Sequence, residues 1–238
     1  MNPVLQDILR TGQVRDGEER LRLHSHMGEE EGALIHQLFT AVKPATSIEI
    51  GFAYGISTLY ACDALSANGR PSRHIVIDPA QSGHWRGIGL KNVALAGFDH
   101  FVEFHEDQSA IVLPALFAGG TRVQAAIIDG LHTFDQAMMD FFFINKMLDV
   151  GGVVILDDAN WPGVLRLVKH ICTYPAYRVR GRTGPGPIRI RARVRRALAP
   201  VIPPLRRDWD RILLSGSRCV AFEKIAEDQR PFEWHVDF

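Results

Sequence analysis

The sequence has little of what secreted and membrane proteins need. Its three cysteines, Cys62, Cys172 and Cys219, are scattered and include no CxxC pair, so the pattern favours a reduced, cytosolic setting over a disulfide framework. No uninterrupted apolar run approaches the ~20 residues that span a bilayer, and residues 1–21 are too polar for a signal peptide. We therefore expect a cytoplasmic protein without a membrane span.

A net charge is also lacking. Lys plus Arg and Asp plus Glu both number 27, so no overall charge draws the chain to nucleic acid or to a membrane surface. The pattern G-x-G-x-x-G is absent too, which argues against a nicotinamide cofactor. With 238 residues, 46% of them hydrophobic, the chain can form one domain with a sizeable core.

Short apolar runs alternate with segments of helical spacing through most of the chain. The runs TSIEIG, HIVIDP, FVEFHE, QAAIIDG and GGVVILDD predict strands, and SGSRCVAFEKI predicts a last one. Because a helix-length segment separates each of the first five from the next, we expect an α/β fold. The predicted architecture is Rossmann-like: a doubly wound, mainly parallel, seven-stranded sheet with helices on both faces. Residues 29–238 form this domain, and residues 1–28 precede it as a helical or lid segment.

An arginine-rich stretch interrupts the pattern near the end. Residues 178–211 hold eleven Arg and no Lys, with many Pro and Gly. The simplest interpretation is a basic insertion within the final β-hairpin. Connections of this length are usually functional lids, interfaces or mobile segments. We favour a lid or interface, with docking of an anionic substrate or a nucleic acid as alternatives.

A glycine-containing turn follows the first predicted strand of the domain, in the segment EIGFAYGIST. A turn that lets a cofactor approach its backbone needs residues without Cβ at the points of contact, as Gly51 and Gly55 provide. Glu49 beside the turn can accept hydrogen bonds from polar groups of a cofactor. The alternative is a plain strand–helix connection.

Acidic residues end several of the predicted strands. Asp78 follows the second, Asp129 the fourth, and Asp157 and Asp158 the fifth. The carboxyl ends of parallel strands line one crevice, so these side chains should converge. Crowded carboxylates are costly unless a cation neutralises them, and hard oxygen ligands suit Mg²⁺ or a similar divalent ion. We predict a metal site at Asp129, Asp157 and Asp158, the alternative being that the aspartates cap the helix begun by Pro162.

Taken together, four segments resemble class I S-adenosylmethionine-dependent methyltransferases. EIGFAYGIST is similar to motif I of the catechol O-methyltransferase group and of the wider family called methyltransferase domain 24, which includes macrolide and aminocoumarin sugar O-methyltransferases. IIDGLH, GGVVILDDANWPG and DQSAIVLPAL match further motifs, so the resemblance covers about residues 29–175. It implies cofactor contacts at Glu49, Gly51, Gly55, Ser57, Asp78, Ser109 and Asp129, with S-adenosyl-L-methionine as the cofactor.

His132 is the candidate general base. Transfer of a methyl group to a hydroxyl requires that the hydroxyl lose its proton; a bound divalent ion lowers its pKa, and a nearby His can accept the proton. The catechol enzymes carry a lysine at this position, and a histidine titrates closer to neutrality, which suits a less acidic hydroxyl. A surface or helix-capping histidine is the alternative. Trp85 and Trp161 are candidates for the wall of an acceptor pocket.

The leading hypothesis is a magnesium-dependent O-methyltransferase acting on a sugar-bearing or phenolic small molecule. The family's late substrate-binding acid has no clear counterpart, although Asp208 and Asp210 are stand-ins, so a catechol substrate is in doubt. The alternatives are a nucleic-acid methyltransferase that docks through its arginine segment and a catalytically silent binding protein. A homodimer is compatible with the resemblance.

Overall fold

The computed structural model describes residues 1–184, 214 and 216–236. Within them, seven strands form one sheet in the spatial order β5-β4-β3-β6-β7-β9-β8. The strands are β3 (Thr46–Ile50), β4 (Arg73–Ile77), β5 (Val102–His105), β6 (Val123–Ile128), β7 (Leu148–Leu156), β8 (Tyr177–Arg182) and β9 (Val220–Lys224). β3 to β7 pair in parallel, and β9 runs antiparallel between β7 and β8. The predicted seven-stranded, mainly parallel sheet is confirmed.

Helices cover both faces of this sheet. They are α2 (Glu29–Val42), α3 (Ile56–Ala67), α4 (Ile88–Leu95), α5 (Ser109–Ala118), α6 (Phe134–Met147) and α7 (Pro162–Ile171). Successive strand residues point to opposite faces, so Ala125 and Ile127 of β6 pack with α2 and α3, whereas Ala126 and Ile128 pack with α6 and α7. Two apolar cores result, one on each side, as the doubly wound prediction requires.

The chain begins with a helix and a hairpin. α1 (Pro3–Thr11) starts at a proline that follows Asn2, whose side chain accepts from the Val4 amide, and ends at left-handed Gly12. β1 (Gln13–Asp16) and β2 (Glu19–Arg22) then pair antiparallel across a tight turn. The sequence analysis did not predict this hairpin.

Ion pairs hold the hairpin against the sheet domain. Arg86 lies 2.6 Å from Asp16 and 2.9 Å from Glu19, and Lys91 lies 2.6 Å from Asp16. Since Arg86 precedes α4 and Lys91 belongs to it, the hairpin is fixed beside the loop that follows β4. It thereby extends the wall of the crevice at the carboxyl edge of the sheet.

The basic insertion starts later than predicted. Residues 178–182, which the sequence analysis placed in it, belong to strand β8 because their backbone pairs with β9. Residues 185–211, which include Asp208 and Asp210, lie outside the described residues. Thr183 and Arg218 lie on the two flanks of the insertion, at the carboxyl edge of the sheet. The Thr183 amide donates to the carbonyl of Cys219, and the Arg218 amide donates to the carbonyl of Thr183. Among the helices that the structure describes, none is long and apolar enough to cross a membrane.

Candidate active site

A cavity of about 980 Å³ opens at the carboxyl edge of the sheet. It lies at the ends of the neighbouring strands β3 and β6, where the strand order reverses direction. Ligands usually bind at this switch point in such sheets. Seven of the predicted site residues line it: Gly51, Asp78, Ser109, Asp129, His132, Asp157 and Asp158. Trp85 and Trp161 line it as well. Glu49, Gly55 and Ser57 do not line it.

Gly51 sits where a side chain has no room. Its φ is +89°, and a Cβ built on it would lie 2.1 Å from the backbone oxygen of Asp129. The turn after β3 therefore presses directly against the end of β6, and only glycine combines this φ with this approach. Gly55, with φ +76°, begins α3 beneath the ring of Phe52.

Glu49 anchors a buried polar network below the turn. Its carboxylate accepts from the hydroxyl of Ser57, and from Thr58 at 2.5 Å, while Nε2 of His74 lies at 2.9 Å. The Nδ1 of His74 lies 2.8 Å from the Ser47 hydroxyl. Glu49 and His74 are fully buried, so this network joins β3, β4 and the first turn of α3 from underneath the cavity.

Asp78 holds the turn from the side. Its Oδ2 accepts from the amides of Phe52 at 2.9 Å and Ala53 at 3.0 Å, and its Oδ1 accepts from the Ala80 amide at 2.8 Å. A carboxylate offers about four acceptor positions, so most of this one is committed to the backbone. Ala53, with φ +47°, is thereby held in a left-handed conformation.

Ser109 stands at the start of α5 on the far side of the cavity. Its hydroxyl accepts from the side-chain amide of Gln136, at 2.9 Å. Below this pair the carboxyl of Asp140 is fully buried. Burial raises the pKa of Asp140 to about 6, although Ser109 and Gln136 both lower it.

The aspartates after β6 and β7 converge as predicted. Burial, followed by the charge of Asp157, holds the pKa of Asp129 well above its usual range. Burial and the neighbouring Asp158 raise the pKa of Asp157 to about 7. Among the described residues, no Lys or Arg forms an ion pair with any of the three. A concentration of negative charge of this kind fits a cation.

His132 lies with two of these aspartates. Its Nε2 is 3.1 Å from Oδ2 of Asp158, and one ligand atom each from Asp129, His132 and Asp158 all lie within 4.8 Å of one another. The ring of Trp161 packs on His132 with centroids 5.1 Å apart. Two carboxylates and an imidazole are donors that a divalent ion accepts. Asp157 is outside this group.

The N-terminal segment, predicted as a helical or lid segment, contributes a wall of the cavity. Residues 22–26 line the cavity, and Nε2 of His24 lies 2.9 Å from the hydroxyl of Tyr54. Trp85 packs against both rings. No motif marks this segment, because its place depends on how the hairpin docks rather than on local sequence. His84 and His105, near the ends of β4 and β5, do not line the cavity.

Comparison with known proteins finds similarity to methyltransferases. A family model described as a methyltransferase domain matches residues 48–159. The transmembrane O-methyltransferase of Homo sapiens is 28% identical over 159 residues, covering 66% of this chain and 53% of that protein. Tapetum-specific methyltransferase 1 of Arabidopsis thaliana is 27% identical over 139 residues, covering 57% and 56%. The chain spans little more than half the length of these relatives.

Solved structures share the fold over nearly the whole chain. The O-methyltransferase TomG from Streptomyces achromogenes, involved in tomaymycin synthesis and solved with S-adenosylmethionine, is 17% identical with a TM-score of 0.64 and covers 94% of this chain and 90% of its own. An O-methyltransferase from Bacillus cereus, solved with S-adenosylhomocysteine, is 15% identical with a TM-score of 0.64 and covers 94% and 92%. At these identities the likeness establishes the fold.

Proposed function

We propose that the chain transfers the methyl group of S-adenosyl-L-methionine to a hydroxyl of a small molecule, because a family model described as a methyltransferase domain matches residues 48–159. The observation that carries the proposal is the single cavity in which the Gly51 turn, Ser109 and the aspartates after β6 and β7 meet. The relatives named O-methyltransferases support the same reaction.

The cofactor would lie across the carboxyl ends of β3 and β4. Gly51 would let it approach the backbone, Asp78 would contact the ribose through its remaining acceptor position, and Ser109 would contact the adenine. Glu49 and Ser57 satisfy each other beneath the turn, so we assign them, with Gly55, to shaping the turn rather than to touching the cofactor. Asp129 closes the methionine end of the site.

Methyl transfer is a single displacement. The hydroxyl oxygen attacks the sulfonium methyl, a C–O bond forms as the S–CH₃ bond breaks, and the electron pair of that bond returns to sulfur. The hydroxyl loses its proton to an acceptor beside the cavity. The sequence predicts that His132 accepts this proton, and the geometry makes the same histidine a candidate metal ligand as well.

A divalent ion would be held by Asp129 and Asp158. His132 and Asp157 line the same part of the cavity. When bound, such an ion lowers the pKa of a coordinated hydroxyl and orients it toward the methyl group. Trp161 and Leu131 line the cavity at this end.

The acceptor would occupy the space between Trp85, Trp161 and residues 22–26. Indole rings bind the faces of phenols and of sugars, so both substrate classes fit this wall. A cytoplasmic location and a homodimer, expected from the sequence, stay predictions.

The test is transfer of an isotope-labelled methyl group to a panel of phenols and glycosides, read by mass spectrometry. We expect a methylated product that forms with Mg²⁺ or Mn²⁺ and falls away when a chelator removes the ion. Asp129→Asn should abolish product, while Asp135→Asn, an exposed aspartate six residues further on, should retain it. Product formation by Asp129→Asn at the wild-type rate would contradict the assignment of the site.

A further inference from the structure

The arrangement around His132 differs from the all-oxygen metal site that the sequence predicts. The predicted ligands were Asp129, Asp157 and Asp158, but the donor atoms that lie together belong to Asp129, His132 and Asp158. Neighbouring ligands bound to one ion at about 2.1 Å are separated by roughly 3 Å. The 3.1 Å between Nε2 of His132 and Oδ2 of Asp158 fits such a pair.

Local structure brings His132 to this position. The loop after β6 carries Asp129 and His132 toward the start of α7, where a Cβ on Gly163 would lie 2.3 Å from the backbone oxygen of His132. Gly163 thus permits a close approach between the two segments. Trp161 packs on the imidazole from the same side, which restricts the ring and leaves Nε2 directed at Asp158.

Asp158 is placed by its backbone. It follows Asp157 with φ +49°, so the chain turns immediately after β7. Asp158 faces His132, whereas Asp157 remains buried beside it and is absent from the group of donors. The candidate ligand group therefore contains the imidazole of His132 where the sequence predicted the carboxylate of Asp157.

We infer that His132 is a metal ligand, together with Asp129 and Asp158, and that the site prefers a divalent first-row transition ion such as Mn²⁺, Fe²⁺, Co²⁺ or Zn²⁺ over Mg²⁺. Imidazole nitrogen binds these ions well, whereas Mg²⁺ selects oxygen ligands. The inference rests on the proposed function for the ion's place in the reaction, but not for the ion's binding, which can be measured separately.

The experiment uses the full chain, stripped with a chelator and titrated with Mn²⁺ or with Mg²⁺ alone. Pulsed electron paramagnetic resonance of the Mn²⁺ protein should show hyperfine coupling to a directly bound nitrogen. Competition should show Mn²⁺ bound at least about tenfold more tightly than Mg²⁺. Wild-type protein without nitrogen coupling, or with equal affinity for the two ions, would overturn the inference.

Two variants and one control localise the nitrogen. His132→Ala should lose the coupling and weaken Mn²⁺ binding by about tenfold or more. His132→Asp supplies oxygen instead, so it should lose the coupling while its preference moves toward Mg²⁺. His100→Gln, an exposed histidine next to Phe101, should keep the wild-type signal. Retention of the coupling in either His132 variant would also overturn the inference.

Binding of S-adenosylmethionine to the same preparations separates this inference from the proposed function. Nitrogen-bound Mn²⁺ in a protein that binds no cofactor would support the metal site and contradict the methyltransferase proposal. Cofactor binding by a protein whose Mn²⁺ shows no nitrogen coupling would support the methyltransferase proposal and contradict the metal-ligand inference. Circular dichroism of each variant verifies that the fold is intact.

Discussion

At the scale of single residues, Gly51 ties the cofactor turn to the end of β6. A Cβ on Gly51 would clash with the backbone oxygen of Asp129. A backbone atom cannot relieve such a clash by changing rotamer, as a side chain can. We predict that Gly51→Ala lowers the free energy of unfolding by about 3 kcal/mol or more through strain and overpacking. Gly69, with φ +65° and no atom within 4 Å, is the control, and Gly69→Ala should cost only about 1 kcal/mol. Equal losses in urea denaturation would contradict the close approach.

Glu49 supports a second prediction, because three side chains depend on its buried carboxylate. Glu49→Ala leaves His74, Ser57 and Thr58 without their partner, so we expect a loss of about 3 kcal/mol in the free energy of unfolding. Glu103→Ala is the control, since Glu103 pairs with Arg73 and His105 at the surface and should cost less than about 1 kcal/mol. A loss in Glu49→Ala as small as that of the control would show that the network contributes little.

Asp140 gives a pH-dependent prediction. Its pKa is about 6 in the folded chain and about 3.9 when unfolded. Between these values the folded chain keeps a proton that the unfolded chain has lost, so wild-type stability falls as pH rises through this window. Asp140→Asn removes the titration, and its stability relative to wild type should improve by about 2 kcal/mol from pH 4 to pH 8.

Urea denaturation at several pH values measures this difference. Asp135→Asn serves as the control, because Asp135 lies on the same helix but is exposed. A difference between Asp140→Asn and wild type that stays constant with pH, or that declines as pH rises, would contradict the raised pKa.

Of the residues that the motifs predict as cofactor contacts, Gly51, Asp78, Ser109 and Asp129 line the cavity, whereas Glu49, Gly55 and Ser57 do not. Their contacts with a cofactor stay predictions. The partner of Glu49 was not foreseen, since it depends on the pairing of Ser47 with His74 across β3 and β4. Paired residues of β3 and β4 are 27 positions apart along the chain, and register over that distance is decided by the core as a whole, not by local spacing.

At the scale of elements, the N-terminal hairpin is the largest addition. Its strands each bury a single apolar residue at most, Val14 in β1 and partly Leu21 in β2, so alternation was too weak to indicate strands. The signal that could have found it is Asp16-Gly17, with Gly17 at φ +62°, a dipeptide typical of hairpin turns. The helices and strands of the sheet domain follow stronger patterns and were foreseen, except β8, whose residues 178–182 were assigned to the basic insertion.

The docking of the hairpin gives a prediction for this scale. Asp16→Ala removes the shared partner of Arg86 and Lys91, so the hairpin should open more often. We expect amide exchange in residues 13–22 to accelerate by about tenfold, with little change in global stability because exposed ion pairs contribute under about 1 kcal/mol. Asp7→Ala, which removes an exposed pair within α1, is the control. Unchanged exchange in the hairpin would contradict the role of these ion pairs.

At the scale of the whole molecule, the alternation of strands and helices was enough to predict the sheet and both of its faces. It also placed the cavity, because parallel strands bring their carboxyl ends to one edge. Trp85 and Trp161, predicted as candidates for the acceptor wall, line the cavity. The contribution of residues 22–26 was not predictable, since they reach the wall only when the hairpin docks. Most of the segment between β8 and β9 lies outside the described residues, so its role as a lid or interface stays a prediction.

Cofactor binding is the property on which the rest depends. Isothermal titration calorimetry of the full chain with S-adenosylmethionine measures it directly. We expect one molecule bound per chain with a dissociation constant in the micromolar range, typical of enzyme ligands, and no binding heat with Gly51→Ala under conditions where that variant is folded. Folded wild-type protein that takes up no cofactor at millimolar concentration would contradict the assignment of this cavity as a methyltransferase site.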